Sequence, residues 1–387
     1  MRSDFRRRSV VVKILALTDS LSERAGGLSH ATMNLACSSA QKWPAAEFVV
    51  MAQKDHAEIQ PVSRYMPNLK VHIEPCFRNQ IFPWSKGLQQ AIAELKPDLI
   101  HLRGIWRQPS LVSLQWKQCN PAKPLIVQTA GMLEPWARSR RRWLKSAYYS
   151  LIERQLIAQC DLIHATSQQE AKTLESLGID SSRIALVEEG VFLPPASSLH
   201  SSEGKLSRKL LYLSRLHPVK GLELLLEALS MLRPRGWICE IVGMGHPIYE
   251  RKLMQQVSRL HLEDYVHFRG PLSGEAKNRA LAEADAFILP SFSESFGIAI
   301  AEAMSWALPV ITTTATPWRV LSDQEMGWCV DPSLNALSQA LFNLFQCSDD
   351  RLQLMGARSR QYIAERYDWM VISQKMASIY QSLLAAS

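Results

Sequence analysis

The sequence predicts an α/β protein made of two doubly wound domains facing each other across a cleft. Three observations carry that expectation. Short apolar runs alternate with longer helical patterns along the chain, a Pro- and Ser-rich stretch at residues 193–208 breaks the alternation once, and 387 residues with 47% hydrophobic and 21% charged content are enough to bury two full cores. The expected division is an N-terminal domain over residues 1–195, a linker over 196–207, a second domain over 208–365, and a closing helix over 366–387 that packs back on the first domain. Ligands of such sheets bind at the carboxyl ends of the strands, so function is sought in the loops that leave them.

In the first half, "SVVVKILAL" reads as a buried first strand. Lys13 interrupts its apolar run and no small-residue cleavage site follows, so it is not taken for a secretion signal. "EFVVMAQ", "DLIHL", "PLIVQT" and "DLIHATS" read as further strands. In "SQQEAKTLESLG", Ser167 and Glu170 form a capping box and Gly178 supplies the helix stop. After the linker, "KLLYLS", "WICEIVGMG", "YVHFRG", "DAFILPS" and "LPVITTT" are strands, with "LELLLEALSML", "NRALAEA" and "FGIAIAEAMSWA" as helices between them.

Composition narrows the chemistry. The formal charge of +8, from 44 Lys and Arg against 36 Asp and Glu, favours an anionic partner. Seven scattered cysteines without a CxxC pair indicate neither a disulfide framework nor a zinc site, which fits a cytoplasmic setting. No apolar stretch approaches the roughly 20 residues of a membrane-spanning helix.

Three stretches point to a phosphate-bearing ligand. In "LYLSRLHPVKGLELLLEAL", Arg215 and Lys220 occupy the loop leaving a strand and Gly221 begins the next helix. Two cations thus converge with a helix N-terminus. In "DSLSERAGGLSHATMNLA", Gly26 and Gly27 let backbone approach a ligand ahead of a helix. In "SFSESFGIAIAEAMSWA", a loop at Ser291–Ser295 leads into a helix near Gly297. Glu294 stands before its free N–H groups and Glu302 roughly two turns beyond them, about 12 Å away if the span is helical. That spacing suits a nucleoside diphosphate sugar, with the diphosphate over the helix start and the carboxylates on sugar and ribose hydroxyls. No complete GxGxxG is present, and "VGMGHP", with Gly243, is too short to indicate a dinucleotide.

These segments, with "VHFRGPL" and "GGLSHATMNLA", resemble the retaining glycosyltransferases of family 4, whose fold is GT-B: two Rossmann-like domains. The interval Glu294 to Glu302 matches that family's E-x7-E motif. The resemblance implies that Arg215 and Lys220 neutralise the donor diphosphate, Glu294 contacts the donor sugar, and Glu302 holds the ribose. It also implies that Phe296, Gly297 and Ile298 offer backbone N–H groups, that Gly27 approaches the phosphates, and that Arg269 with Gly270 lies near the base. The implied activity is transfer of a sugar, with retention, from a nucleoside diphosphate sugar to a glycan or lipid-linked acceptor. No cofactor is expected. No Asp-x-Asp pair is present to hold a diphosphate through Mg²⁺ or Mn²⁺, so the reading is metal-independent.

The chain departs from the family in its first half. A family histidine is replaced in "HLRG", where His101 is followed by Arg103. Ala130 stands where relatives read His before Gly131, and "EEGVF" replaces Asn-Gly-Val-Asp. Either Arg103 recognises an acidic or phosphorylated acceptor, or this half has drifted and activity is weak. Two other classes would reuse the donor features: a GT-B epimerase or phosphorylase, which needs its own acid-base residues or a cofactor lysine, and a non-catalytic nucleotide-sugar-binding protein. Finally, Arg138, Arg140, Arg141, Arg142 and Lys145 mix with Trp136, Trp143, Tyr148 and Tyr149. This composition suits the anionic cytoplasmic face of a membrane better than nucleic acid, though a solvated helix face has the same look.

Overall fold

In the computed structural model, residues 11–21, 27–53, 66–75, 85–134, 148–199 and 207–387 are described. Two compact units emerge: Met1–Glu188 with Trp369–Ser387, and Glu189–Asp368.

The first unit is built on a parallel sheet of β1 (Lys13–Thr18), β2 (Glu47–Gln53), β3 (Leu69–Glu74), β4 (Leu99–Arg103), β5 (Leu125–Gln128), β6 (Leu162–Ala165) and β7 (Ile184–Leu186), in the order β3-β2-β1-β4-β5-β6-β7. Helices α1 (Gly27–Lys42), α2 (Leu88–Leu95), α3 (Gln108–Cys119), α4 (Arg154–Gln159) and α5 (Gln168–Ser176) alternate with these strands, and a π-helical turn at Tyr149–Glu153 leads into α4. The order reverses direction between β1 and β4, which makes that pair the topological switch point. Every residue of β4 and β5 is buried, as expected for parallel strands covered on both faces.

The second unit repeats the plan with β8 (Arg208–Leu213), β9 (Trp237–Val242), β10 (Val266–Gly270), β11 (Ala286–Leu289), β12 (Val310–Thr313) and β13 (Gly327–Val330), in the order β10-β9-β8-β11-β12-β13. Its helices are α6 (Leu222–Leu232), α7 (Pro247–Arg259), α8 (Gly274–Glu283), α9 (Ile298–Ser305), α10 (Val320–Asp323), α11 (Leu334–Phe345) and α12 (Asp349–Arg366). Its switch point lies between β8 and β11. The last helix, α13 (Trp369–Ala386), belongs to the first unit and packs on α1.

Three expectations are adjusted. The first strand begins at Lys13, not Ser9, because Val11 is 49% exposed while the Lys13 amide donates to Asp98 Oδ2 at 2.9 Å at the sheet edge. The units part at Glu188 and Glu189, ahead of the Pro- and Ser-rich stretch. Val191 donates its N–H to Tyr367 O at 2.8 Å and is buried in the second core, so residues 189–195 belong to that unit. Ser167 does cap α5, its Oγ accepting the Glu170 N–H at 3.1 Å, but only half of a capping box forms. The Glu170 carboxylate is drawn away to Thr129 Oγ1 and Gly131 N–H at 2.5 Å and to Thr166 N–H and Oγ1 at 2.8 Å, four donors that satisfy a fully buried charge.

A buried polar relay ties α13 to the sheet. His164 Nε2 lies 2.6 Å from the Val187 carbonyl, His164 Nδ1 lies 3.2 Å from His101 Nε2, and His101 Nδ1 lies 2.8 Å from the Tyr380 hydroxyl. The Val187 carbonyl can only accept. His164 therefore donates from Nε2 and accepts at Nδ1, His101 donates from Nε2, and Tyr380 donates to His101 Nδ1. The order of donors needs both rings neutral. Burial first, then the nearby His164 ring and the Arg103 guanidinium, holds His101 well below the ordinary histidine range.

Candidate functional site

The β8 and β11 strands end side by side at the second unit's switch point, and their loops carry the charged residues singled out above. After β8 the chain makes a single 3₁₀ turn, Pro218–Lys220, capped by His217 Nδ1, which accepts the Val219 N–H at 3.1 Å. Gly221 follows in the left-handed conformation (φ 70°). A Cβ there would sit 1.9 Å from the Pro290 carbonyl, so only glycine lets this turn lie against the end of β11. Gly243 plays the same part after β9: its φ is 149° and a Cβ would meet the Ser214 carbonyl at 1.9 Å.

That close approach brings Lys220 to Glu294. Lys220 Nζ donates to Glu294 Oε1 at 2.5 Å, and Ser291 Oγ donates to the same oxygen at 3.0 Å. The side chains are only 13% and 10% exposed. The loop holding Glu294 is pinned by its own backbone, with the Phe292 N–H on Val219 O at 2.7 Å and the Glu294 N–H on Ala315 O at 3.3 Å. Beneath it, burial and then the neighbouring Tyr249 and Glu294 push the Tyr212 phenol well above its ordinary range, so it stays a neutral hydroxyl.

The helix start near Gly297 is also formed as expected. Gly297 is the N-cap of α9 in a left-handed conformation (φ 84°) without a side-chain cap. The N–H groups of Phe296, Gly297 and Ile298 find no acceptor among the described residues. Phe296 is buried, its ring 5.3 Å from Trp318 and 5.5 Å from Tyr367, and its carbonyl accepts the Trp318 indole N–H at 2.5 Å. These contacts aim the peptide, leaving its N–H side to face outward from the helix start.

Glu294 and Glu302 do not lie on one helix. Glu294 precedes α9 in the loop, and Glu302 is the fifth residue of α9, just over one turn from its start, so the helical ruler of the sequence reading is replaced by two separate placements. Each glutamate has its own lysine: Glu302 Oε1 accepts from Lys277 Nζ of α8 at 2.6 Å. Lys220 is correspondingly not a lone cation, because Glu294 neutralises it. Arg215 is exposed and, among the described residues, has no hydrogen bond or ion pair, which leaves it as the uncompensated positive charge of this loop.

The structure does not bring every candidate together. Arg269 Nη1 donates to Glu240 Oε1 at 2.9 Å, in a separate cluster with Lys209 and Glu283, although Gly270 itself adjoins Gly243 through a 2.9 Å backbone bond. In the first unit, Gly27 is the first residue of α1, while Gly26 lies outside the described residues. So do Arg138, Arg140, Arg141, Arg142 and Lys145. Arg103 ends β4 and is 2% exposed, which places it inside the fold and not on an open face. His101 is spent on the relay to Tyr380. Ala130 and Gly131 both have positive φ, 48° and 71°, and the Gly131 N–H is held by Glu170. Lys277, Ser291 and Trp318 went unnoticed in sequence, since a lone lysine in a polar helix, a loop serine and a tryptophan carry no spacing signal.

No helix among the described residues is long and apolar enough to cross a membrane. Residues 25–193 match the family model described as Glycosyltransferase Family 4, and residues 207–347 match Glycosyl transferases group 1, together most of the chain. A phosphatidyl-myo-inositol mannosyltransferase of Mycobacterium leprae is 31% identical over 54% of this chain and 56% of its own length. A D-inositol 3-phosphate glycosyltransferase of Streptomyces avermitilis is 25% identical over 79% of this chain and 70% of its own. The chain spans about 60% of the length of the first curated relatives it matches. Among solved structures, HepE of Anabaena, in complex with UDP and glucose, superposes with a TM-score of 0.75 at 19% identity, covering 96% of this chain and all of that one.

Proposed function

The chain belongs to the GT-B glycosyltransferases that resemble family 4, and from that premise we propose that it transfers a sugar from a nucleoside diphosphate sugar to a glycan or lipid-linked acceptor, with retention and without a metal. One observation carries the reading: at the second unit's switch point, Lys220 and Glu294 are paired across two strand ends beside unsatisfied amides at the start of α9. The solved relative that binds UDP and glucose supports the same class of ligand, and the relatives named for inositol-linked and lipid-linked substrates support the acceptor class.

In this reading the diphosphate lies over the start of α9. Arg215 and the free amides stabilise the charge that grows on the leaving group as the sugar–phosphate bond breaks, and they do so more in the transition state than in the ground state. Glu294 accepts from a sugar hydroxyl while Lys220 fixes its carboxylate, and Glu302, oriented by Lys277, accepts from the ribose. Attack from the same face as the departing diphosphate retains configuration, with the leaving phosphate taking the acceptor's proton. A basic stretch at residues 138–145 would place the enzyme at an anionic membrane surface, where a lipid-linked acceptor resides.

The test is incubation of the purified protein with UDP-, GDP- and ADP-sugars, following nucleotide release and the fate of the sugar. Release of one nucleotide, rising on addition of an acceptor extract and lost in Arg215→Ala, is the expected result. Sugar interconversion without release would point instead to an epimerase, and binding without turnover to a non-catalytic protein.

A further inference from the structure

The first unit has a switch point of its own, between β1 and β4, and the loop that leaves β4 there is held with unusual completeness. Gly104 has φ 90°, and Trp106, which has a side chain, has φ 76°. A left-handed backbone at a bulky residue is strained and persists only where surrounding contacts impose it. Four hydrogen bonds to three residues impose it here. The Gly104 N–H donates to Gln128 O at 3.0 Å, the Ile105 N–H to Met132 Sδ at 3.4 Å, the Trp106 N–H to Glu153 Oε1 at 2.6 Å, and the Trp106 indole N–H to Met132 O at 3.2 Å. The next residue is tied as well, since Tyr148 donates its hydroxyl to Arg107 O at 2.8 Å.

Glu153 is the unusual member. It sits in the π-helical turn, a geometry often found at functional sites, and it is fully buried. Its second oxygen, Oε2, and the Ser110 hydroxyl are both buried without a hydrogen-bond partner. A buried carboxylate kept with a single good partner is a poor stabilising element, because its desolvation is not repaid. What it does accomplish is to fix Trp106. On the same edge the Trp106 indole is half-buried, Arg107 is exposed, and Arg107 Nε stands 3.7 Å from Asp19 Oδ2 in the loop after β1. An aromatic face beside an exposed guanidinium suits a sugar ring bearing a negative substituent.

We propose that Glu153 is a positioning residue: through the Trp106 amide it holds the Gly104–Arg107 loop so that Trp106 and Arg107 contact an acidic sugar acceptor at the β1/β4 switch point. The proposal rests on the glycosyltransferase reading and adds the acceptor's chemical class to it. The protonation of Glu153 bears on the same geometry. Burial pushes its carboxyl up to about 7, with the Trp106 N–H and then the neighbouring Ser110 hydroxyl pulling the other way. Among the described residues, the titratable neighbours on this edge are Tyr148, Arg107 and Asp19, while α4 adds the exposed Arg154 and the one charge on α3, Lys117, is committed to Asp161. Ionised above pH 7, Glu153 grips the amide with a charge-assisted bond. Protonated below it, the grip weakens.

Ligand-observed NMR with glucuronate, glucose 6-phosphate and glucose tests this on the full chain, with UDP, GDP and ADP as controls for the second unit. The wild type should bind one or both acidic sugars and not glucose, with the two acidic arms telling carboxylate from phosphate. Trp106→Ala and Glu153→Ala should weaken that binding at least fivefold and leave nucleotide binding unchanged. Glu153→Gln, a neutral acceptor for the amide like the protonated acid, should bind as weakly at every pH as the wild type does below pH 7, yet more tightly than Glu153→Ala. Absence of acidic-sugar binding by the wild type, or equal binding and an unchanged pH profile in Glu153→Gln and Glu153→Ala, overturns the proposal. Failure to bind any nucleotide strikes the glycosyltransferase reading instead, so the two failures are distinct.

Discussion

Lys220 Nζ stands 2.5 Å from Glu294 Oε1, although 74 residues separate them in the chain, because the turn after β8 and the loop after β11 are pressed together at the switch point of the second sheet. With both side chains less than one-seventh exposed, neither charge is well hydrated, and each depends on the other. Lys220→Met should therefore cost about 2 kcal/mol of stability, as should Glu294→Gln, within the range for a buried polar group that loses its partner. The double variant should cost less than the sum. Chemical denaturation of the four proteins measures the coupling, and strict additivity would mean that the pair is incidental.

The approach of these loops rests on glycines whose replacement should have unequal consequences. Gly221→Ala places a methyl group 1.9 Å from Pro290 O in a left-handed backbone, so it should destabilise by more than about 2 kcal/mol and abolish turnover. Gly270 has a similar φ of 70° but open space around its Cβ position. Gly270→Ala should cost only the backbone term, about 1 kcal/mol. Thermal unfolding distinguishes them, and equal losses would show that close approach is not the reason for Gly221.

The His164–His101–Tyr380 relay predicts a pH dependence. His101 is held well below its unfolded value of 6.5, so its contribution to stability is complete above pH 6.5 and is lost as pH falls below it, where the unfolded chain binds a proton that the folded one refuses. The slope should approach one proton, about 1.4 kcal/mol per pH unit. Glu153 acts in the opposite sense: with its folded value near 7, its cost to the fold grows as pH rises from the unfolded 4.5 through 7. Comparing wild type with His101→Gln between pH 7 and 5 isolates the first effect, and an unchanged slope would remove His101 as its source.

The central strands and the helices between them were legible because burial on both faces writes an unbroken apolar run, as in "DLIHL" and "DAFILP". The edge strands β3, β7 and β13 were not. In β3, "LKVHIE", the exposed side admits polar residues and erases the run, while β7 and β13 span only three and four residues, too short to stand out. The loop cations and the E-x7-E glutamates were visible as residues, and their pairing was not. Spacing along the chain placed Glu294 and Glu302 on one ruler, whereas Gly297 ends that ruler by entering a left-handed conformation, and each glutamate turns to a lysine on a different element. Arg103, a cation two residues past a strand histidine, was visible as a residue while its enclosure at the end of β4 was not. Trp106 and Glu153 carried no motif, because a left-handed backbone at a tryptophan arises from tertiary contacts.

The central claim, that the β8/β11 switch point receives a nucleoside diphosphate sugar, is tested most directly by calorimetry with UDP, GDP and ADP and with the matching nucleotide sugars, on wild type, Arg215→Ala, Glu294→Ala and Glu302→Ala. One nucleotide should bind the wild type. Its affinity should fall at least tenfold, about 1.4 kcal/mol, in Arg215→Ala and Glu302→Ala, which lose contacts to phosphate and ribose. Glu294→Ala should bind the free nucleotide nearly as well as the wild type but lose the extra affinity that the sugar confers. Identical losses in all three variants, or no nucleotide binding by the folded wild type, would contradict the assignment.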